Sequence, residues 1–498
     1  NVKPILSPRS TFTGQLKDRA DREEKHSCSG HACVSQKLTD VMNQNIRLKK
    51  QISQLQAQLK DSSAKKNATT LSPALYSINN ENHVRASRLG RSASISTIKE
   101  LTKLYGASEY DSDACSSVSS NPARSLVRKR RVKGFEDKMI ESFNNFSANN
   151  TQESYWSSQE FADDIVGACQ RVSAILRNES RLLELQSPIY VFGDIHGNLE
   201  DLKFFADLIW PLGVGLTAGK LLFLGDFVDR GMYGIEVVAF LIAQKLKHPH
   251  KVFLIRGNHE TRAVNGWESY YGDGSFRSQC KTRFGIEKGI SVWEACNKMF
   301  DCLPLASVLD ESIFCVHGGI PMPTNKDGEL DSRLEDIRKI PCPIDIHPPE
   351  PEPSCTAAEA KEELYNRLAF SLLWADPAES SQEPSLEDTK HGFAENSRGG
   401  GTVVFGNKAV NSFLDTYKLK FIMRAHEATA SGVAVCKSAK VLTVFSTSKD
   451  HGCGGDAKCG CILVDTNRIH AINRDSKQSQ GENMKYIQEN QTSNWPSI

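Results

Sequence analysis

The sequence has no run of 18 or more apolar residues, so nothing in it reads as a membrane-spanning helix. It also lacks an excess of either charge: 61 Lys and Arg stand against 60 Asp and Glu, a formal net charge of +1. That balance excludes a globally basic nucleic-acid binder and a strongly acidic tail, and leaves steering of partners to local patches. The first residues, NVKPILSPRS, do not form a charged segment followed by an apolar run, so no secretory leader is expected there. The 14 cysteines lack the compact spacing of a disulfide framework, and reduced thiols in the cytoplasm or nucleus are expected. Hydrophobic residues make up 39%, below the globular average, as expected if part of the 498-residue chain is not packed.

Residues 1–150 carry much of that deficit. Ser, Asn, Arg and Lys dominate stretches such as 61–70 and 108–122, which bury too little apolar area to offset the entropy of ordering. A largely disordered regulatory extension is expected. One island, 36–60, differs. Leu38, Val41, Asn45, Leu48, Ile52, Leu55 and Leu59 alternate three and four residues apart, without Pro or Gly. That spacing reads either as a short parallel coiled coil that makes a homodimer, with Asn45 at an a position, or as a single amphipathic helix. Arg88 and Arg91 precede Ser92 and Ser94 as a basophilic kinase site would require, and RKRRVK at 128–133 reads as a solvated charge run or a nuclear address.

The texture changes near Tyr155. Residues 160–185 read as helix, and after them short apolar strands alternate with helices: SPIYVFGD, LEDLKFFADLIW, KLLFLGD, GIEVVAFLIAQKL and KVFLIRGNHE. This βαβαβ order implies parallel strands with right-handed crossovers, hence an α/β domain, expected over 151–475 and followed by a flexible tail at 476–498. Three further strands end SIFCVHGG, LKFIMRAHE and VLTVFSTS. The informative polar residues all follow strands, on the carboxyl edge where open α/β sheets bind ligands.

Those edges supply Asp194 and His196 in GDIHGN, Asp226, Asp229 and Arg230 in GDFVDRG, and Asn258 and His259 in GNHE, with His317 and His426 later. The interval from Asp194 to Asp226 equals that from Asp226 to Asn258, the length of one βαβ step of about 30 residues. Carboxylate, imidazole and amide ligands without thiolate suit Mn²⁺, Fe²⁺ or Zn²⁺. A single Asp-x-His recurs by chance; five ligand-bearing strand ends in agreement do not.

GDIHG, GDFVDRG and RGNHE in order, followed by HGG and RAHE, resemble the metal-binding signature of the phosphoprotein phosphatase family, which includes protein phosphatases 1 and 2A and calcineurin. LLWADP and the Arg398 of NSRGGG add to the likeness. The resemblance implies a metallophosphoesterase β-sandwich flanked by helices, with two divalent metals roughly 3.5 Å apart. It implies that Asp194, His196 and Asp226 hold one metal, and that Asp226, Asn258, His317 and His426 hold the other. A bridging water would attack the phosphorus of phosphoserine or phosphothreonine with no phosphoenzyme. Arg230, Arg398 and Asn258 would bind the phosphoryl group, and His259, oriented by Asp229, would protonate the leaving oxygen. Phosphoproteins are the implied substrates and regulatory subunits possible partners. A phosphoprotein-capturing scaffold and an esterase for small phosphoesters are the alternatives.

The sequence departs from the family in three places. Ser446–His451 lacks the Tyr that usually overhangs the site, and it is followed by GCGGDAKCGC, where Cys453, Cys459 and Cys461 read as flexible-loop thiols rather than a zinc site. The stretch 341–360, PCPIDIHPPEPEPSCTAAEA, reads as an exposed, semi-rigid insertion. NSRGGG carries one glycine more than the usual pattern, which leaves the placement of Arg398 open.

Overall fold

The computed structural model describes residues 133–146, 155–323, 333–349, 356–466 and 468–475. The heptad island 36–60, Ser92 and Ser94, all of the basic run but Lys133, and the tail 476–498 lie outside the described residues. No described helix is long and apolar enough to cross a membrane.

The described fold begins before residue 151. Helix α1 (Phe135–Asn144) buries Phe135, Met139 and Phe143, four residues apart on one face. Only three side chains carry that pattern among charged neighbours, too few to read as a helix in so polar a region. Helix α2 (Gln159–Leu176) starts at Ser158, whose hydroxyl accepts from Phe161 N. It ends sooner than its apolar spacing suggests, because the pattern changes period: β1 (Leu182–Leu185) buries all but Glu184. Residues 160–185 are therefore a helix and a strand, not one helix.

Strands β2 (Ile189–Phe192), β3 (Lys220–Phe223) and β4 (Val252–Leu254) pair in parallel, joined by α3 (Leu199–Ile209) and α4 (Gly234–Lys247). This is the expected βαβαβ unit. Phe143 of α1 stacks on Phe240 of α4 with ring centroids 3.6 Å apart. Helices α5 (Phe276–Phe284) and α6 (Ile286–Phe300) lead to the antiparallel pair β5 (Ala306–Leu309) and β6 (Ile313–Val316). Helix α7 (Ala357–Trp374) opens with a capping box between Thr356 and Glu359. A small sheet follows, of β7 (Asp376–Pro377), β8 (Phe393–Glu395) and β9 (Val403–Phe405). Helix α8 (Asn407–Tyr417) precedes β10 (Phe421–Arg424), β11 (Val433–Cys436), β12 (Val441–Val444), β13 (Lys458–Asp465) and β14 (Arg468–Asp475).

Two large sheets result, ordered β1-β5-β6-β10-β12-β11 and β14-β13-β2-β3-β4. Alternation assigns the strand residues to layers. Ile189, Val191 and Leu222 of one sheet meet Ile313, Cys315 and Met423 of the other in a shared core. The opposite faces carry Phe192 and Phe223 against α1–α6, and Phe314 and Ile422 against α7 and α8. Strands buried on both faces read as unbroken apolar runs, which is why they were visible in the sequence.

Two departures from the family read differently in the folded chain. The first part of the stretch 341–360 is strapped down: Arg181 Nε donates to Pro341 O at 2.9 Å, Arg256 Nη1 donates to Ile344 O at 2.6 Å, and Ile346 is buried. Its end forms the cap and first turn of α7. Nor are Cys459 and Cys461 loop thiols. Both lie on β13, paired with β2 and β14, where burial pushes their pKa values well above the ordinary range.

Candidate active site

The carboxyl ends of β2, β3, β4, β6 and β10 converge between the sheets. Asp194, His196, Asp226, Asn258, His259, His317 and His426 are all buried there. Close approach of the backbones requires glycine at Gly257: a Cβ would collide with Asp226 N and Oδ1. The turns are strained as well. His196, Asp226, Asp229, Arg230 and His426 hold φ between 46° and 68°, the left-handed region that non-glycine residues rarely adopt. Such strain persists where the surroundings impose it, and it aims these side chains into one space.

Asp226 is the centre. His196 Nε2 lies 3.5 Å from its Oδ2, His317 Nε2 3.3 Å from its Oδ1, and His259 Nε2 3.9 Å from its Oδ2. Burial works to raise the Asp226 pKa, but His317, His259 and His196 hold it well below the usual carboxylate range. Asp194 adds Oδ2, 3.5 Å from His196 Nε2, while its Oδ1 accepts from His426 N.

Hydrogen bonds behind the rings fix which nitrogen points inward. His196 Nδ1 donates to Val228 O and His317 Nδ1 to Leu224 O, each at 2.9 Å, so both Nε2 atoms offer lone pairs to the centre. Burial, then Arg230 and His259, lower the His196 pKa; burial, then His317, Arg398 and Arg424, hold His426 well below the ordinary value. Asn258 Oδ1 stands 2.8 Å from both His317 Nε2 and His426 Nδ1. Turned over, its NH₂ would donate to both rings; with oxygen inward, the same residues form a pocket of acceptors that a cation would satisfy. Asp194 Oδ2 and His196 Nε2 are buried without a hydrogen-bond partner.

This donor set fits metal ions. His196, Asp226 and His259 form one candidate group and Asp226, His317 and His426 another, sharing Asp226. Oxygen and imidazole donors without thiolate match divalent first-row cations.

His259 differs from its neighbours. Its Nδ1 donates to Asp229 Oδ2 at 2.6 Å, and Asp229 Oδ1 accepts from Phe276 N at 2.7 Å. Burial opposes the imidazolium, but Asp226 and the Asp229 hydrogen bond outweigh it and raise the His259 pKa. Arg230 lines a groove beside this ring with Tyr270, Tyr271, Asp450, His451 and Gly452. Arg398, despite the extra glycine, is placed at the rim: its Nε donates to Asp376 Oδ2 at 2.6 Å, and Asp376 Oδ1 is 3.8 Å from His426 Nε2.

Two residues were not singled out from the sequence. Glu260 accepts from Asp226 N at 2.7 Å, Phe227 N at 2.8 Å and Gly257 N at 3.0 Å, locking the β3 turn to the β4 turn. Asp376 accepts from Arg424 Nη2 and Asn396 Nδ2, each at 2.8 Å, as well as from Arg398. Both lie inside quoted motifs, RGNHE and LLWADP, but nothing in the one-dimensional pattern points to the backbone N–H groups that Glu260 accepts or to the side chains that Asp376 gathers.

Residues 187–430, from before β2 to beyond His426, match the calcineurin-like phosphoesterase family. Over those residues the chain carries a calcineurin-like phosphoesterase domain, and the relatives it resembles include serine/threonine-protein phosphatases. It is 34% identical over 307 residues to serine/threonine-protein phosphatase BSL2 of Arabidopsis thaliana, spanning 61% of this chain but only 26% of that relative's length. It also resembles the structure of a protein serine/threonine phosphatase from Saccharomyces cerevisiae with similarity to human phosphatase PP5. That match has a TM-score of 0.50 and 26% identity, and covers 64% of this chain and 91% of the other. Within this phosphatase fold the segment that lacks the usual Tyr is firmly seated. Gly193 N donates to Ser446 Oγ at 2.9 Å, and Ser448 N and Oγ donate to Asp201 Oδ2 at 2.7 and 2.8 Å. Asp450 and His451 follow on the rim.

Proposed function

We propose that this chain hydrolyses phosphoserine and phosphothreonine in proteins, using two divalent cations, by direct attack of water on phosphorus and without a phosphoenzyme. The observation that carries the reading is the position of the Asp229–His259 pair, 2.6 Å between Nδ1 and Oδ2, against a cluster of donors suited to cations.

Asp194, His196 and Asp226 would hold one cation, and Asp226, Asn258, His317 and His426 the other. Such cations, Mn²⁺, Fe²⁺ or Zn²⁺, act as Lewis acids toward phosphoryl oxygens and lower the pKa of water. The chain's own residues supply the remainder. Arg230 and Arg398 bind the phosphoryl oxygens and offset their charge as bond breaking proceeds. His259, whose proton is retained by Asp226 and Asp229, donates it from Nε2 to the departing Ser or Thr oxygen, a poor leaving group as the alkoxide. Glu260 keeps Asp226 in register. Phosphoproteins are then the substrates, regulatory subunits are candidate partners, and a homodimer through 36–60 is a further proposal.

The test of substrate class is phosphate release by the full chain with Mn²⁺ from matched phosphothreonine, phosphoserine and phosphotyrosine peptides and from a nucleoside monophosphate. Preference for the first two supports the reading. Faster turnover of the nucleotide would replace it with a small-phosphoester function.

A further inference from the structure

The groove beside Arg230 leads outward along an aromatic ledge. Tyr271 packs edge-on against His259 with centroids 5.4 Å apart, Tyr270 edge-on against Tyr271 at 4.8 Å, and Trp267 stacks on Tyr270 at 4.7 Å with planes inclined by 25°. The outer two rings are largely solvent-facing, Trp267 51% and Tyr270 67% exposed. Two stacked rings half in water at the mouth of a catalytic site differ from the singly scattered apolar residues normal on any surface.

The ledge is fixed from beneath. Glu268, between the rings in sequence, pairs with Lys281 Nζ at 2.6 Å and lies 3.6 Å from Arg277 Nε, so its charge is engaged by the protein itself. Asp450, exposed and lining the same groove, is different: among the described residues no hydrogen bond or ion pair takes up its carboxylate. Its neighbour Lys449 is drawn away, 2.6 Å from Glu200 Oε2. His451, in the same groove, has its pKa lowered by burial and so adds no positive charge. The groove thus brings together the cationic Arg230, the aromatic rings of Tyr270 and Tyr271, and the unpaired carboxylate of Asp450.

We propose that Trp267, Tyr270 and Asp450 form a specificity subsite for a basic side chain, an arginine above all, in the phosphopeptide substrate. The guanidinium lies against Tyr270, which Trp267 backs from its other face, and pairs with Asp450, while Arg230 takes the phosphate. This rests on the phosphatase reading for the position of the phosphate. Steps of about 5 Å from His259 to each successive ring place the subsite about two to four residues from the phosphothreonine, at roughly 3.3–3.6 Å per extended residue.

The test uses non-hydrolysable phosphonate analogues of phosphothreonine peptides that differ at those flanking positions, carrying Arg, Ala, Glu or Phe. Affinity is measured calorimetrically on the full Mn²⁺-loaded chain. The arginine peptide is expected to bind about five- to twenty-fold more tightly than the alanine peptide. Asp450→Asn and the double variant Trp267→Ala, Tyr270→Ala should each shrink that ratio to within about two-fold, and Asp450→Lys should turn the preference toward Glu. Equal affinities for the Arg and Ala peptides would overturn the subsite. So would tighter binding of the Phe peptide, or an arginine preference that survives both sets of variants. Hydrolysis of p-nitrophenyl phosphate by the unaltered chain is measured alongside. Its absence would count against the phosphatase reading alone, because the affinities do not depend on turnover.

Discussion

Asp229 Oδ2 lies 2.6 Å from His259 Nδ1, and both residues are buried. The opposite carboxylate oxygen is fixed by Phe276 N, so the ring is aimed with its Nε2 toward the Asp226 centre. Asp229→Asn keeps the shape but removes the charge that helps retain the His259 proton. For a phosphothreonine peptide, kcat should fall by about 10²–10⁴ with little change in KM. p-Nitrophenyl phosphate, whose leaving group needs less protonation, should lose far less. Equal losses on both substrates would remove the general-acid role.

Glu260 accepts three buried backbone N–H groups from the turns that carry Asp226 and Gly257. Glu260→Ala leaves all three without an acceptor, at about 1–3 kcal/mol each. A lower melting temperature and weaker cation binding are expected together, read by thermal unfolding and by metal titration. An unchanged melting temperature would mean that water replaces the carboxylate without cost.

Phe143 stacks on Phe240 and is fully buried. Phe143→Ala should destabilise the catalytic domain by about 3–5 kcal/mol in urea unfolding. A chain starting at residue 151 should therefore be markedly less stable than one starting at 132. Equal midpoints would show that α1 is dispensable to the fold.

The site was more legible in the sequence than the fold's edges. Asp194, Asp226 and Asn258 each follow a strand buried on both faces, and a buried parallel strand announces itself as an unbroken apolar run. Their convergence follows from the βαβ repeat. Helix α1 was missed because three apolar residues among charged ones carry little periodic signal. The end of α2 was overrun because Leu182, Leu183 and Leu185 continue the apolar density while changing its period. Arg181 and Arg256 strap the Pro-rich segment after residue 340 through its carbonyl oxygens, and composition holds no record of such bonds. Likewise Glu260 and Asp376 act through backbone N–H groups and arginines that are distant in sequence. Cys459 and Cys461 read as loop residues because the glycines before them masked the start of β13.

The most direct measurement of the central claim is phosphate release from a phosphothreonine peptide by the metal-loaded full chain, comparing the unaltered protein with Asp226→Asn and His259→Ala, each with its metal content determined. The account predicts turnover by the unaltered chain and losses of about 10²-fold or more in both variants. It also predicts that metal content falls in Asp226→Asn and is largely kept in His259→Ala. An unaltered chain that binds two cations yet releases no phosphate would contradict the account and leave phosphoprotein capture in its place.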